Sequence, residues 1–161
     1  MKILVVDDNQ DLAYILKVIL EDAGYEVKAA ADGRAGYSTY LSFTPDLVIT
    51  DIQMPERSGM ELMEHIRIHN PAIGTIYMSG DLQRYWSSLE EEREKYQVGV
   101  LEKPFSKVKL MGLISRLSSP PNGIPGENKE GQEDGKKVVD VEDQEQVDVH
   151  FPFSAGGVAS A

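Results

Sequence analysis

Four short apolar runs punctuate the first hundred residues, and each ends on residues that can carry chemistry. Ile3-Leu4-Val5-Val6 runs into Asp7 and Asp8, and Leu47-Val48-Ile49 into Thr50 and Asp51. Thr75-Ile76-Tyr77-Met78 runs into Ser79-Gly80, and Val98-Gly99-Val100-Leu101 into Glu102-Lys103-Pro104. Unbroken apolar runs of strand length predict strands covered on both faces, as in a parallel sheet. Between them the period changes. Leu12, Ile15, Leu16, Ile19, Leu20 and Ala23 recur at helical spacing, with Asn9 to cap the helix and Gly24 to stop it. Glu26–Ala30 reads as a less apolar strand suited to a sheet edge. Asp32 caps a short helix to about Leu41, weakened by Gly36. Ser58-Gly59-Met60-Glu61 has the capping-box pattern ahead of Leu62, Met63 and Ile66. Asp81 to Tyr96 is predicted mainly helical, with Tyr85 and Trp86 packed inward and a solvated acidic face supported by a Glu91–Lys95 pair. Ser106 caps a last helix with Leu110, Met111, Ile114 and Leu117 inward.

Strand and helix alternating five times predict an α/β fold: a doubly wound (βα)5 domain on a five-stranded parallel sheet, over residues 1–118. From residue 119 the composition changes. Pro120-Pro121 and Pro125-Gly126 open a segment rich in Glu, Gln, Asp, Lys and Gly, so 119–161 is expected to be an acidic, disordered tail. Val147, Val149 and Phe151 alternate within it in a pattern that can add a strand to a partner's sheet, though a solubilising tail explains the composition more simply. The formal net charge of −11 argues against a nucleic-acid or anionic-membrane surface. With no cysteine there is neither a disulfide framework nor a thiolate metal site. The apolar run at the N-terminus is too short for a signal peptide or a membrane span, so a soluble cytoplasmic protein is expected.

In open parallel sheets, ligand chemistry gathers at the carboxyl ends of the strands. Asp7, Asp8 and Asp51 would all reach that edge. Two carboxylates about 4 Å apart repel by roughly 4 kcal/mol at an effective dielectric near 20, so three of them call for a hard divalent cation, with Mg²⁺ the best fit. Ser79 brings a hydroxyl that can donate to a phosphoryl oxygen, Gly80 an open backbone N–H, and Lys103 an ammonium. His65 and His69 lie four apart on a helix, but nothing nearby completes a site, and ordinary surface or partly buried histidines are expected.

Asp7-Asp8, Asp51, Ser79 and Lys103-Pro104, in this order on these elements, resemble the receiver domain of two-component response regulators over residues 1 to about 118. The resemblance implies a flavodoxin-like receiver fold and a set of roles. Asp51 would be the phosphoacceptor. Asp7, Asp8 and Asp51 would hold Mg²⁺ together with the Gln53 backbone carbonyl. Ser79 and Lys103 would each contact a phosphoryl oxygen. The donor would be a sensor histidine kinase or a histidine phosphotransfer protein, and the output a phosphorylation-dependent contact with another protein. A phosphorelay intermediate or phosphate sink with little conformational output is the alternative. The chain would be a signalling module rather than an enzyme acting on a separate substrate.

Two departures from the family pattern bear on mechanism. Val100 stands where receivers usually place Tyr or Phe, three residues before the motif lysine, and the Ser79–Lys103 segment is slightly long, as in receivers of hybrid sensor kinases. Signal is therefore expected to leave through the fourth helix rather than through an aromatic rotamer at residue 100. Other classes fit less well. A haloacid-dehalogenase-type hydrolase needs an acid two residues after its nucleophile, whereas Gln53 follows Asp51 and Asn9 follows Asp7. A nucleotide-binding flavodoxin-like domain needs a glycine-rich or hydroxyl-rich loop where Asp7-Asp8-Asn9-Gln10 stands.

Overall fold

The computed structural model describes residues 1–118. The chain alternates β1 (Lys2–Val6), α1 (Gln10–Asp22), β2 (Glu26–Ala30), α2 (Gly33–Phe43), β3 (Leu47–Asp51), α3 (Gly59–His69), β4 (Gly74–Ser79), α4 (Trp86–Lys95), β5 (Val98–Glu102) and α5 (Lys107–Ser118). One five-stranded sheet runs in the order β2-β1-β3-β4-β5, with every pairing parallel. This is the doubly wound flavodoxin-like arrangement expected. The sequence expectation of a tail at 119–161, with its Val147, Val149 and Phe151, lies outside the described residues. Among the described residues no helix is long and apolar enough to cross a membrane.

The unbroken apolar runs have a direct cause. Successive strand residues point to opposite faces, and both faces are covered. On one face Ile3, Val5, Leu47, Ile49, Ile76 and Met78 pack against α1 and α5 through Leu16, Leu20, Leu110 and Ile114. On the other, Leu4, Val6, Val48 and Tyr77 pack with Leu62, Met63 and Ile66 of α3 and Leu89 of α4. β2 lies at the edge, and its exposed Glu26, Lys28 and Ala29 account for its weak hydrophobicity.

The helix starts follow the capping residues read from the sequence. The side chains of Asn9, Asp32 and Ser58 accept from the backbone N–H groups of Leu12, Ala35 and Glu61, and Glu61 completes the capping box. The Ser106 side chain accepts from the Lys109 N–H. α2 forms across Gly36. This glycine is buried where a Cβ would come within 3.1 Å of Val6 and 3.2 Å of Leu62, so the missing side chain lets α2 approach β1 and α3. α2 also runs on to Phe43, which is buried, and ends on Thr44 in the left-handed region at φ 50°.

The segment after β4 departs most from expectation. Instead of a helix from Asp81, a 3₁₀ turn spans Gln83–Tyr85 and α4 begins at Trp86. Tyr85 is half-buried, but Trp86 is 47% exposed and is not a packing residue. Glu91 and Lys95 form no ion pair among the described residues. Glu92, on the face expected to be solvated, turns inward to Arg67 instead.

Candidate functional site

The carboxyl edge of the sheet collects the charged residues because each lies at or just past a strand end. Asp7 follows β1 and is fully buried, and Asp51 is the last residue of β3 and 6% exposed. Asp8 faces solvent. Asp7, Asp8 and Asp51 each offer a carboxylate oxygen within 4.8 Å of the others. Lys103, just after β5, places its Nζ 2.8 Å from Asp7 Oδ2 and 3.0 Å from Asp51 Oδ1. The Lys103 backbone N–H donates to the Ser79 carbonyl at 2.8 Å, which ties the ends of β4 and β5 together. The Lys103–Pro104 peptide is cis.

Ser79 ends β4, one step beyond the Asp51–Met78 register pair, and is fully buried. Its Oγ accepts from the Asp81 N–H at 3.0 Å, and Asp81 Oδ1 accepts in turn from the Arg84 N–H at 3.3 Å. Gln53 sits exposed in the turn two residues after Asp51. Asp7, Asp8, Asp51 and Lys103 thus converge, Ser79 shares their edge, and Gln53 stands beside it. His65 and His69 are both exposed, and the His65 ring meets the Glu61 carbonyl and the edge of Tyr37.

The electrostatics follow from burial and crowding. Loss of solvent pushes the Asp51 carboxyl up to about 6, against the opposing pull of Lys103, with Asp7 and Asp8 adding repulsion. Burial works against the Lys103 ammonium, but Asp7 and Asp51 outweigh it and hold its pKa above the usual lysine value. One ammonium among three carboxylates leaves a net negative cluster, open on the side of Asp8. Hard anionic oxygens converging on a partly solvated edge suit Mg²⁺, which takes one or two carboxylates and keeps several waters.

Two features of the site were not read from the sequence. The first is Gly59, the opening residue of α3, whose N–H donates to the Ile52 carbonyl at 3.1 Å. A Cβ there would stand 2.1 Å from the Asp51 carbonyl oxygen and 2.7 Å from Thr50 Oγ1, so only glycine lets α3 start against the end of β3. Its signal was a glycine placed directly behind a strong N-cap, where a helix former would ordinarily stand. The second is Arg67, buried on α3. Its place on the stripe Leu62, Met63, Ile66 marked it as inward-facing, but its partners lie on other elements.

Comparison with known proteins gives a consistent result. The family described as response regulator receiver domain matches residues 3–115. The DNA-binding transcriptional regulator NtrC of Rhizobium meliloti (strain 1021) is 28% identical over 137 residues, 85% of this chain and 28% of that protein. The transcriptional regulatory protein DltR of Streptococcus agalactiae serotype III (strain NEM316) is 31% identical over 116 residues, 71% of this chain and 50% of that protein. The chain therefore matches half or less of the length of these two relatives. Among solved structures, response regulator protein TrrA from Thermotoga maritima in complex with Mg²⁺-BeF is 31% identical. Its TM-score is 0.63, over 72% of this chain and 97% of that one. The receiver domain of hybrid histidine kinase CckA is 25% identical with a TM-score of 0.60, over 73% and 98%.

Proposed function

This chain belongs to the response regulator receiver domain family, and from that premise we propose that Asp51 accepts a phosphoryl group and that the chain signals by phosphorylation-dependent contact with another protein. The observation that carries this reading is Lys103, whose ammonium bridges Asp7 and Asp51 at the edge where three carboxylates converge. Asp51 is the acceptor because it alone of the three ends a central strand, in contact with the lysine and fixed by Gly59 behind it. Its carboxylate oxygen attacks phosphorus while the bond from phosphorus to the donor breaks, and the donor leaves with the electron pair. A phosphohistidine on a sensor kinase or phosphotransfer protein is the donor that the family implies. Lys103 is placed to pair with a phosphoryl oxygen once Asp51 is esterified, and the Ser79 hydroxyl to donate to another.

Mg²⁺ fits Asp7, Asp8 and Asp51, with the Gln53 carbonyl as a further oxygen ligand, and when bound it offsets the charge of the incoming phosphoryl group. The similar TrrA structure holding Mg²⁺-BeF supports that assignment. The test is incubation with radiolabelled acetyl phosphate. Wild type should take up a base-labile label only when Mg²⁺ is present, and Asp51→Asn should take up none. Label in Asp51→Asn at wild-type stoichiometry would show that the acceptor lies elsewhere.

A further inference from the structure

α4 is held to the domain by very little apolar surface. Of its ten residues only Leu89 is buried, whereas α1, α3 and α5 each bury three or more. What α4 has instead is Glu92. Its carboxylate bonds to Arg67 Nη1 of α3 and accepts from the Tyr77 hydroxyl of β4 at 2.9 Å. Arg67 is 5% exposed, also reaches Thr75 Oγ1 of β4 at 3.1 Å, and lies 4.0 Å over the ring of Tyr96, just past the end of α4. Arg67 Nε is buried without a hydrogen-bond partner among the described residues, so the guanidinium depends heavily on Glu92 for compensation. Burial pulls Arg67 below the usual arginine range and pushes the Tyr77 hydroxyl up to about 12.

Thr75, Tyr77 and Ser79 alternate along β4 and so point to one face. Two polar tethers therefore run from a single face of β4 to the α4 region. Ser79 holds Asp81 and, through it, Arg84 at the entry to the 3₁₀ turn, while Tyr77 and Arg67 hold Glu92 within the helix. The first tether ends at the residue placed to meet the phosphoryl group. Drawing the Ser79 hydroxyl to that group takes the acceptor from the Asp81 N–H and shifts the start of the segment, which strains the second tether.

The geometry points to Glu92 as a latch: with Arg67 and Tyr77 it holds α4 in the arrangement that accompanies a free Asp51 carboxylate, and phosphorylation works against it. This rests on Asp51 as the phosphoacceptor. Glu92, Arg67 and Tyr77 are positioning residues, remote from the reacting atoms. Because coupling is reciprocal, a latch that phosphorylation must strain also weakens binding at Asp51, so loosening the latch tightens that binding.

The test uses the full chain with Mg²⁺ and beryllofluoride, the tetrahedral fluoride that mimics an aspartyl phosphate, titrated by Trp86 emission or by amide exchange over residues 80–98. Glu92→Gln keeps the shape and removes the charge, and Tyr77→Phe removes the hydroxyl's bonds to Glu92 and Arg67 while keeping the ring. Both should bind beryllofluoride about five-fold tighter than wild type, at the lower end of ordinary coupling, and Glu92→Gln should exchange faster across α4 before any ion is added. Glu91→Gln, exposed and outside the network, should match wild type. A residue serving stability alone would leave the affinity unchanged or weaken it. Less than two-fold tightening in both variants therefore overturns the latch. If wild type itself neither binds beryllofluoride nor takes label from acetyl phosphate, the assignment of Asp51 fails first, and the two failures stay distinguishable.

Discussion

The two faces of the sheet are covered by different means. Under α1 and α5 the buried contact is an apolar cluster, with side chains from all five strands meeting Leu16, Leu20, Leu110 and Ile114. Under α2, α3 and α4 there is a comparable apolar cluster, but it borders a buried Arg67, Tyr77, Thr75 and the inward Glu92. Apolar packing is non-directional and sums over area, so it gives stability with little preference for one exact placement. A buried charged network is satisfied in one arrangement only and is costly in any other. The first face acts as the platform, and the second holds elements in stated positions relative to Asp51.

The largest expected effect breaks the platform. Leu16→Ala deletes a fully buried side chain from α1 and should cost about 2–5 kcal/mol of global stability. Urea unfolding would read this as a lower midpoint with an unchanged slope, while phosphorylation of the folded fraction proceeds normally. The second face should fail in the opposite manner. Gly59→Ala puts a methyl group where the Asp51 carbonyl stands, and either α3 or the end of β3 must move. Misplacement of a reacting group by about 1 Å can cost on the order of 100-fold in rate, so labelling by acetyl phosphate should slow by about that factor. A Gly59→Ala variant that labels at the wild-type rate would mean that the site tolerates the shift.

This contrast also explains what was legible in the sequence. The platform and the strand ends were read correctly from Ile3–Val6, Leu47–Ile49 and the residues that follow them. A parallel strand covered on both faces leaves a local signature, and its chemistry stands at its end. The caps at Asn9, Asp32, Ser58 and Ser106 were legible for the same reason, since donor and acceptor are three residues apart. Glu92 was not. Six charged residues in a row, Glu90 to Lys95, look like a solvated face, and it takes Arg67 and Tyr77, 25 and 15 residues away, to turn one of them inward. Trp86 misled in the other direction, because a large aromatic ring in a first helical turn is usually packed and this one is not. Gly36 and Gly59 look like weak points in their helices when read locally; beside Val6 and Leu62 the first permits a close approach, and beside the Asp51 carbonyl the second is necessary.

A mid-sized effect concerns pH. Burial raises the Asp51 pKa from 3.8 in the ordinary carboxyl to about 6, so the fold tolerates the neutral form better than the charged one. The contribution of Asp51 is therefore most favourable below about pH 4 and is lost as pH rises through about 6. In metal-free protein that loss should be on the order of 1–3 kcal/mol, since each tenfold change in proton affinity between folded and unfolded chain is worth about 1.4 kcal/mol. Other carboxylates titrate over the same range, so the readout is the difference from Asp51→Asn. The variant should gain stability relative to wild type between pH 4 and pH 7, and adding Mg²⁺ at pH 7 should narrow the gap by binding wild type more tightly. A difference that stays constant across this range would mean that Asp51 ionises in the fold as freely as in the unfolded chain.

The smallest effect sharpens the comparison at the helix starts, where the two faces use the same device. Asn9 caps α1 on the apolar face with one bond, from the Leu12 N–H at 3.1 Å. Ser58 caps α3 with a reciprocal pair: its hydroxyl accepts from the Glu61 N–H at 3.2 Å, and its own N–H donates to Glu61 Oε2 at 2.7 Å. The Ser58 N–H and hydroxyl both donate to Glu61 Oε2 and hold the Glu61 carboxyl below the ordinary carboxylate value. Either cap replaced by alanine should cost about 1 kcal/mol, so the melting temperatures of Asn9→Ala and Ser58→Ala should fall by similar, small amounts. Their consequences at the site should differ. Asn9 also follows Asp7 and Asp8, but the bond that orders that turn, to Asp7 Oδ1 at 2.9 Å, comes from the Asn9 backbone N–H and survives the substitution. Ser58 immediately precedes Gly59, so loosening the start of α3 relaxes the contact that fixes Asp51 from behind. Ser58→Ala should therefore slow acetyl phosphate labelling at temperatures well below its melting point, while Asn9→Ala leaves the rate near that of wild type. Equal rates in the two variants would mean that the position of Asp51 is set by β3 and Gly59 alone, without help from the cap.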